Sequence, residues 1–251
     1  MAEQRRVRLE TKGHCPACGR SSKFVAEDDW LRDAYLCVRC RTLPRHRALV
    51  AVLDILRPRW HKLVLHESSP AHEFFGDRCR RYSSSQYLPS VEPGTYSNGV
   101  RCEDVHHLSF PDATFDVFIT QDVLEHVFHP ERALAEIMRC VKPGGLHIFT
   151  APKHKALLRS ERRAELRDGE IVHLRDPVYH GNPVGDGRSL VTWDYGADFE
   201  DLAQRWGGYL VSTYAIRDRN LGIDGEFLEV FVQARDELNR VAPGSEQQPP
   251  L

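Results

Sequence analysis

The stretch Phe115-Asp116-Val117-Phe118-Ile119-Thr120 reads as a β-strand, and together with residues 130–150 it decides the fold. Its β-branched and aromatic residues suit a pleated, buried surface. Residues 130–141 then put Ala133, Leu134, Ile137, Met138 and Val141 on one apolar face at helical spacing. Lys142-Pro143-Gly144-Gly145 stops this helix, and residues 146–150 form the next strand. Strand, crossover helix and strand predict a parallel pair.

Working outward toward the N-terminus, residues 63–65 read as a short buried strand and residues 82–85 as another. Between them Ser68-Ser69-Pro70 predicts a strand-to-helix turn, with Ser69 as N-cap and Pro70 in the first turn. Pro44 opens a helix over 44–56, where Leu49, Val50, Leu53 and Leu56 recur at helical spacing. Toward the C-terminus, residues 153–190 show little periodicity and are read as an insertion over one end of the sheet. A helix is predicted over 199–206, and strands over 209–216 and 226–234. The composition of the tail from Glu237 predicts disorder. The fold class expected is α/β: a Rossmann-like, doubly wound, mostly parallel sheet with an antiparallel edge hairpin.

Cys15 and Cys18, then Cys37 and Cys40, form two C-x-x-C knuckles. This spacing suits a four-thiolate tetrahedral site, and four protein ligands leave no place for a catalytic water. A structural Zn2+ held by Cys15, Cys18, Cys37 and Cys40 is expected. The domains expected are a small zinc ribbon at 1–43, the α/β domain at 44–236 with its insertion, and a tail at 237–251.

The 251 residues carry 41% hydrophobic side chains and a net charge of −2, which argues against general nucleic-acid binding. Charge is uneven, however: residues 1–60 hold 13 Lys and Arg against 7 Asp and Glu. No apolar leader or membrane-length run is seen, so a cytoplasmic protein without a membrane partner is expected.

Residues 102–152 resemble class I S-adenosylmethionine-dependent methyltransferases of the type 11 kind. Asp104-Val105 leads into a segment similar to the third acidic motif and fourth strand of that family. Asp122-Val123-Leu124-Glu125-His126-Val127 is similar to the family signature after that strand. Glu136-Ile137-Met138-Arg139-Cys140-Val141-Lys142-Pro143-Gly144-Gly145 is similar to the segment before the fifth strand. The resemblance implies methyl transfer from S-adenosylmethionine. It places Asp104 and Val105 at the adenine, and Gln86 where the family has its ribose-binding acid. Gln121 lies at the end of strand four. The first motif departs from the family's acid and glycine-rich turn, reading His66-Glu67-Ser68-Ser69-Pro70. There His66 and Glu67 stand in for the acid, and small Ser68 and Ser69 offer backbone amides.

Methyl transfer needs alignment of donor and acceptor, and a base if the acceptor is a hydroxyl. His180 in the insertion and Asp122 after strand four are the catalytic candidates. Glu125 and His126 read as anchors of the following helix. Arg159, Arg162, Arg163 and Arg175 are available to an anionic acceptor. The expected acceptor is a small molecule such as a sugar or secondary-metabolite hydroxyl. The alternatives are an RNA methyltransferase guided by the basic ribbon, and a non-catalytic pseudo-methyltransferase serving as a binding or assembly module. Oligomeric state is left open.

Overall fold

A computed structural model of the chain describes residues 7–70, 74–181 and 187–241. The N-terminal part is a three-stranded antiparallel sheet of β1 (Leu9–Cys15), β2 (Arg20–Ala26) and β3 (Leu36–Cys37). Helix α1 (Pro44–Leu56) follows. The central sheet comprises β4 (Leu65–Ser68), β5 (Tyr82–Ser85), β6 (Phe115–Gln121) and β7 (Val141–Thr150), with helix α2 (Pro130–Cys140) between β6 and β7.

The insertion contributes β8 (Ala164–Arg167) and β9 (Glu170–His173), then β10 (Tyr179–Gly181) and β11 (Arg188–Leu190). Helix α3 (Phe199–Gly207), β12 (Val211–Tyr214) and β13 (Val230–Ala234) close the fold. The six central strands lie in the order β12-β13-β7-β6-β4-β5. The pairs β5/β4, β4/β6 and β6/β7 are parallel, while β13 runs antiparallel to both β7 and β12. This is the Rossmann-like, mostly parallel sheet that the pattern predicts, closed by its edge hairpin.

Strand alternation sorts the core onto two faces. Val117, Ile119, Leu146, Ile148, Val230 and Val232 pack with α1 on one side. Phe149 and Phe231 pack with Ala133 and Leu134 of α2 and with Phe199 and Ala203 of α3 on the other. Gly145 sits where a Cβ would come within 2.9 Å of the Asp116 carbonyl, so the tight return from α2 into β7 requires glycine.

The first strand is displaced from residues 63–65 to 65–68. It absorbs His66, Glu67 and Ser68 because their buried side chains meet polar neighbours or pair within the sheet. The helix expected after Ser69-Pro70 is absent among the described residues, which show only turns at 74–80; residues 71–73 lie outside them. The insertion is not irregular. It folds into short antiparallel ribbons, of which β8/β9 turns at Asp168-Gly169 with both residues at positive φ. Of the tail, Glu237–Asn239 forms one 3-10 turn, and residues 242–251 lie outside the described part.

The N-terminal sheet shares its core with the α/β domain. Buried Phe24, Tyr35 and Cys37 belong to the same cluster as Leu49, Leu53 and Val117. Fully buried Arg47 of α1 clasps the two parts: its guanidinium donates to the Thr42, Tyr35 and Gly222 carbonyls and lies 4.8 Å over the Phe24 ring. Gly222, at φ +67, presses directly on Phe24, where any Cβ would overlap the ring.

Candidate active site

β4 runs beside β5 on one side and β6 on the other, so the strand order reverses here. Open α/β sheets present a crevice beyond the carboxyl ends of their strands at such a switch point. A cavity of about 1140 Å³ lies at this place. Its wall takes Ser68 and Ser69 after β4, Gln86 after β5, Gln121 and Asp122 from β6, and Pro152 after β7. Asp104, Val105 and His106 close a second side. The insertion adds Arg163, His180 and Val191, the N-terminal part adds Trp30 and Arg32, and α1 adds Arg45.

Ser69 adopts φ +56, a left-handed conformation that costs a non-glycine residue about 1 kcal/mol. Its amide donates to the Ser85 carbonyl at 2.7 Å, which fixes the turn. The chain therefore makes the left-handed bend that glycine would make without strain.

Asp104 is held by its own loop. Its Oδ1 accepts from the His106 amide at 2.9 Å and pairs with His106 Nδ1 at 2.7 Å. Burial alone would raise its carboxyl, but the His106 hydrogen bonds outweigh burial and hold it below the usual value. Neighbouring Glu103 is buried and accepts from the Ser109 amide and hydroxyl and from Arg101, which braces the loop.

Gln121 donates through Nε2 to Glu67 Oε1 at 2.6 Å, and Glu67 also accepts from Tyr82 Oη at 2.9 Å. Gln121 Oε1 is buried without a hydrogen-bond partner. Gln86 donates to the Pro70 carbonyl at 3.2 Å.

Ser68, Ser69, Gln86, Asp104, Val105, Gln121, Asp122 and His180 thus meet around one cavity. His66 and Glu67 do not line it. His66 is fully buried among Phe110, Phe115 and Phe118, with its ring nitrogens against the Ser83 and Ser85 hydroxyls. Burial, helped by the Arg101 charge, lowers it to about 3, so it is a neutral core residue and not a cofactor contact. Glu67 acts through Gln121, whose amide it orients.

Asp122 is corrected as a catalytic candidate. Its Oδ2 accepts from Arg32 at 2.7 Å and sits 3.1 Å from Arg45, and its Oδ1 accepts from Thr150. Burial would raise its carboxyl, but the two guanidinium charges outweigh this and hold it at about 2. Such a carboxylate takes no proton near neutrality. It ties the N-terminal part to the end of β6.

His180 faces the cavity from β10, with its ring 5.1 Å from that of His126. Burial lowers its pKa, so it is neutral near pH 7. Glu125 and His126 do not anchor a helix. They lie in a separate 3-10 turn, Leu124–His126, ahead of α2. Glu125 is 1% exposed and neither of its oxygens has a hydrogen-bond partner. Burial, with the nearby Asp122 charge, raises its carboxyl well above the usual range. Three of the insertion's four candidate arginines are engaged within the fold, Arg163 with Asp194, Arg175 with Glu161, and Arg162 over the Trp193 ring, while Arg159 is exposed.

Away from the cavity, the sulfur atoms of Cys15, Cys18, Cys37 and Cys40 lie within 4.8 Å of one another. Cys15 Sγ and Cys40 Sγ are 3.7 Å apart. A tetrahedral zinc with bonds near 2.3 Å separates its sulfurs by about 3.8 Å, so the geometry fits that donor set.

Residues 82–149 match the family model described as a methyltransferase domain. An uncharacterised methyltransferase of Schizosaccharomyces pombe is 34% identical over 111 residues, 39% of this chain and 35% of that protein. A ubiquinone/menaquinone biosynthesis C-methyltransferase of Ralstonia pickettii is 50% identical over 42 residues, 17% of each chain. The chain spans about a third or less of the length of these curated relatives. Among solved structures, an S-adenosylmethionine-bound amino pentose methyltransferase of Micromonospora echinaspora aligns over 78% of this chain and 94% of its own, with 16% identity and a TM-score of 0.49. The matched model and both of these curated relatives carry methyltransferase names, and the match covers the segment from β5 to β7. Among the described residues, no helix is long and apolar enough to cross a membrane.

Proposed function

We propose that the chain transfers a methyl group from S-adenosylmethionine to a small-molecule acceptor, a sugar or secondary-metabolite hydroxyl. One observation carries this reading: the ends of four strands and the Asp104 loop converge on a single cavity at the switch point of the sheet. The residues fit the cofactor. The unpartnered Gln121 Oε1 is an acceptor awaiting a donor, and Ser69, in a left-handed turn, lines the cavity beside Ser68. S-adenosylmethionine, when bound, supplies a methyl already activated by its sulfonium.

The chain's own residues bind and align. Ionised Asp104 accepts from the adenine amino group, Val105 covers the ring, and Gln86 meets the ribose hydroxyls. Gln121, oriented by Glu67, accepts from the amino-acid end, and Ser68 and Ser69 line that end. On the acceptor side His180 is neutral and so able to take a hydroxyl proton. The four cysteines hold a structural Zn2+, making residues 1–43 a zinc ribbon on an α/β domain that runs to about 236.

Thermal unfolding with and without ligand tests the proposal. At a hundredfold excess over Kd, S-adenosylhomocysteine should stabilise the folded chain by about 2.7 kcal/mol. The same concentration should stabilise Asp104→Ala by only about 0.4 to 1.4 kcal/mol, as a tenfold to hundredfold weaker affinity requires. No shift in the wild-type chain would refute the cofactor assignment.

A further inference from the structure

The geometry points to a divalent transition-metal site inside the cavity, formed by Glu125, His126 and His180 and separate from the four cysteines. One carboxylate oxygen and one ring nitrogen from each histidine lie within 4.8 Å of one another. Glu125 Oε1 and His126 Nε2 are 3.8 Å apart. Cis ligands about 2.1 Å from one ion stand about 3 Å apart, so closure needs only a small rotation of side chains.

Two further observations direct this cluster toward a cation. Both Glu125 oxygens are buried and lack a donor, although a buried polar group is costly unless partnered. His126 Nδ1 lies 2.9 Å from the Leu190 carbonyl. A carbonyl only accepts, so Nδ1 carries the hydrogen and the Nε2 lone pair is free. Metal-binding histidines are oriented by this kind of bond through the other ring nitrogen.

The backbone beneath is fixed as well. The Glu125 carbonyl accepts from the Thr192 amide at 2.7 Å, and the Leu124 carbonyl accepts from Tyr195 Oη at 2.8 Å. Two ligands therefore come from a pinned turn, and the third comes from the insertion.

Two histidines and one carboxylate make a borderline donor set, suited to Zn2+, Fe2+, Co2+ or Mn2+ and leaving positions open toward the cavity. An acceptor hydroxyl on that open face loses its proton more easily beside the cation. With the ion bound His180 serves as a ligand and the hydroxyl proton passes to water; with the site empty His180 itself takes that proton. That use rests on the methyl-transfer reading, whereas the metal site does not.

The test titrates Mn2+ into the chain after one equivalent of zinc has been loaded on the cysteines and unbound or weakly held zinc removed, and counts bound ion by electron paramagnetic resonance. No methyl donor is present, so failure here leaves the cofactor proposal untouched. One equivalent should bind, and Co2+ in its place should show no strong thiolate absorption band. His180→Ala, at an exposed strand, should weaken binding at least about tenfold, as should Glu125→Gln. His173→Ala, outside the cavity, should not change it. Absence of a bound equivalent in the wild-type chain, or binding equal in His180→Ala, would overturn the assignment.

Discussion

Asp122 shows how little a residue's position after a strand says about its chemistry. Its place after β6 suggests a base, but Arg32 lies 90 residues earlier in the chain and reaches it at 2.7 Å. No local pattern announces a partner so distant. Replacing Asp122 by Ala leaves Arg32 and Arg45 with Asp33 as their remaining carboxylate, at 3.6 and 2.7 Å, a loss of about 2 kcal/mol in urea unfolding. Asp122→Asn should lose less, because the amide oxygen still accepts. Neither change should move the pH profile of methyl transfer, as loss of a base would.

His66 bears on stability rather than on binding. Its folded value of about 3 lies below its ordinary 6.5, so between these values the unfolded chain binds more protons. Stability from this residue is complete above pH 6.5 and falls as the pH drops toward 3, by about 1.4 kcal/mol per pH unit. His66→Asn should flatten the dependence measured between pH 4.5 and 6.5 by up to that slope. An unchanged slope would contradict its burial as a neutral ring.

At the scale of elements, strands and helices with a clear period are legible in the sequence. β6 and α2 follow from β-branched residues and from an apolar stripe, and α1 from its Pro44 start. β4 begins two residues later than its apolar run suggests, because His66, Glu67 and Ser68 look like loop residues until their buried surroundings are known. The β8/β9 hairpin does carry a local signal: Asp168-Gly169 is a favoured two-residue turn with both residues at positive φ. The cavity wall is readable where the family motifs lie. The contribution of Trp30 and Arg32 is not, since it depends on how the N-terminal sheet docks.

That docking runs through Arg47. Arg47→Met should cost about 3 kcal/mol in urea unfolding, because it removes a donor from the buried Tyr35 and Gly222 carbonyls. A loss below about 0.5 kcal/mol, the ordinary range for surface changes, would mean that the clasp contributes little.

For the molecule as a whole, the N-terminal part is a wall of the site and not a detached module. Its basic excess is partly engaged within the fold, with Arg32 and Arg45 on Asp122 and Arg47 on backbone carbonyls. This weakens the case for a nucleic-acid partner there. Stripping zinc with a chelator should lower the Tm by roughly 10 °C, equivalent to about 3 kcal/mol for a chain of this size. It should also weaken cofactor binding, since the loosened ribbon withdraws Arg32 from the cavity.

The switch-point cavity should take S-adenosylmethionine despite the serines in its first turn. Isothermal titration of the zinc-loaded chain with S-adenosylmethionine tests it most directly. The expected result is one site of micromolar affinity, weakened about tenfold to a hundredfold in Asp104→Ala by loss of a charge-assisted hydrogen bond. Absence of binding to the folded chain, or equal affinity in Asp104→Ala, would contradict it.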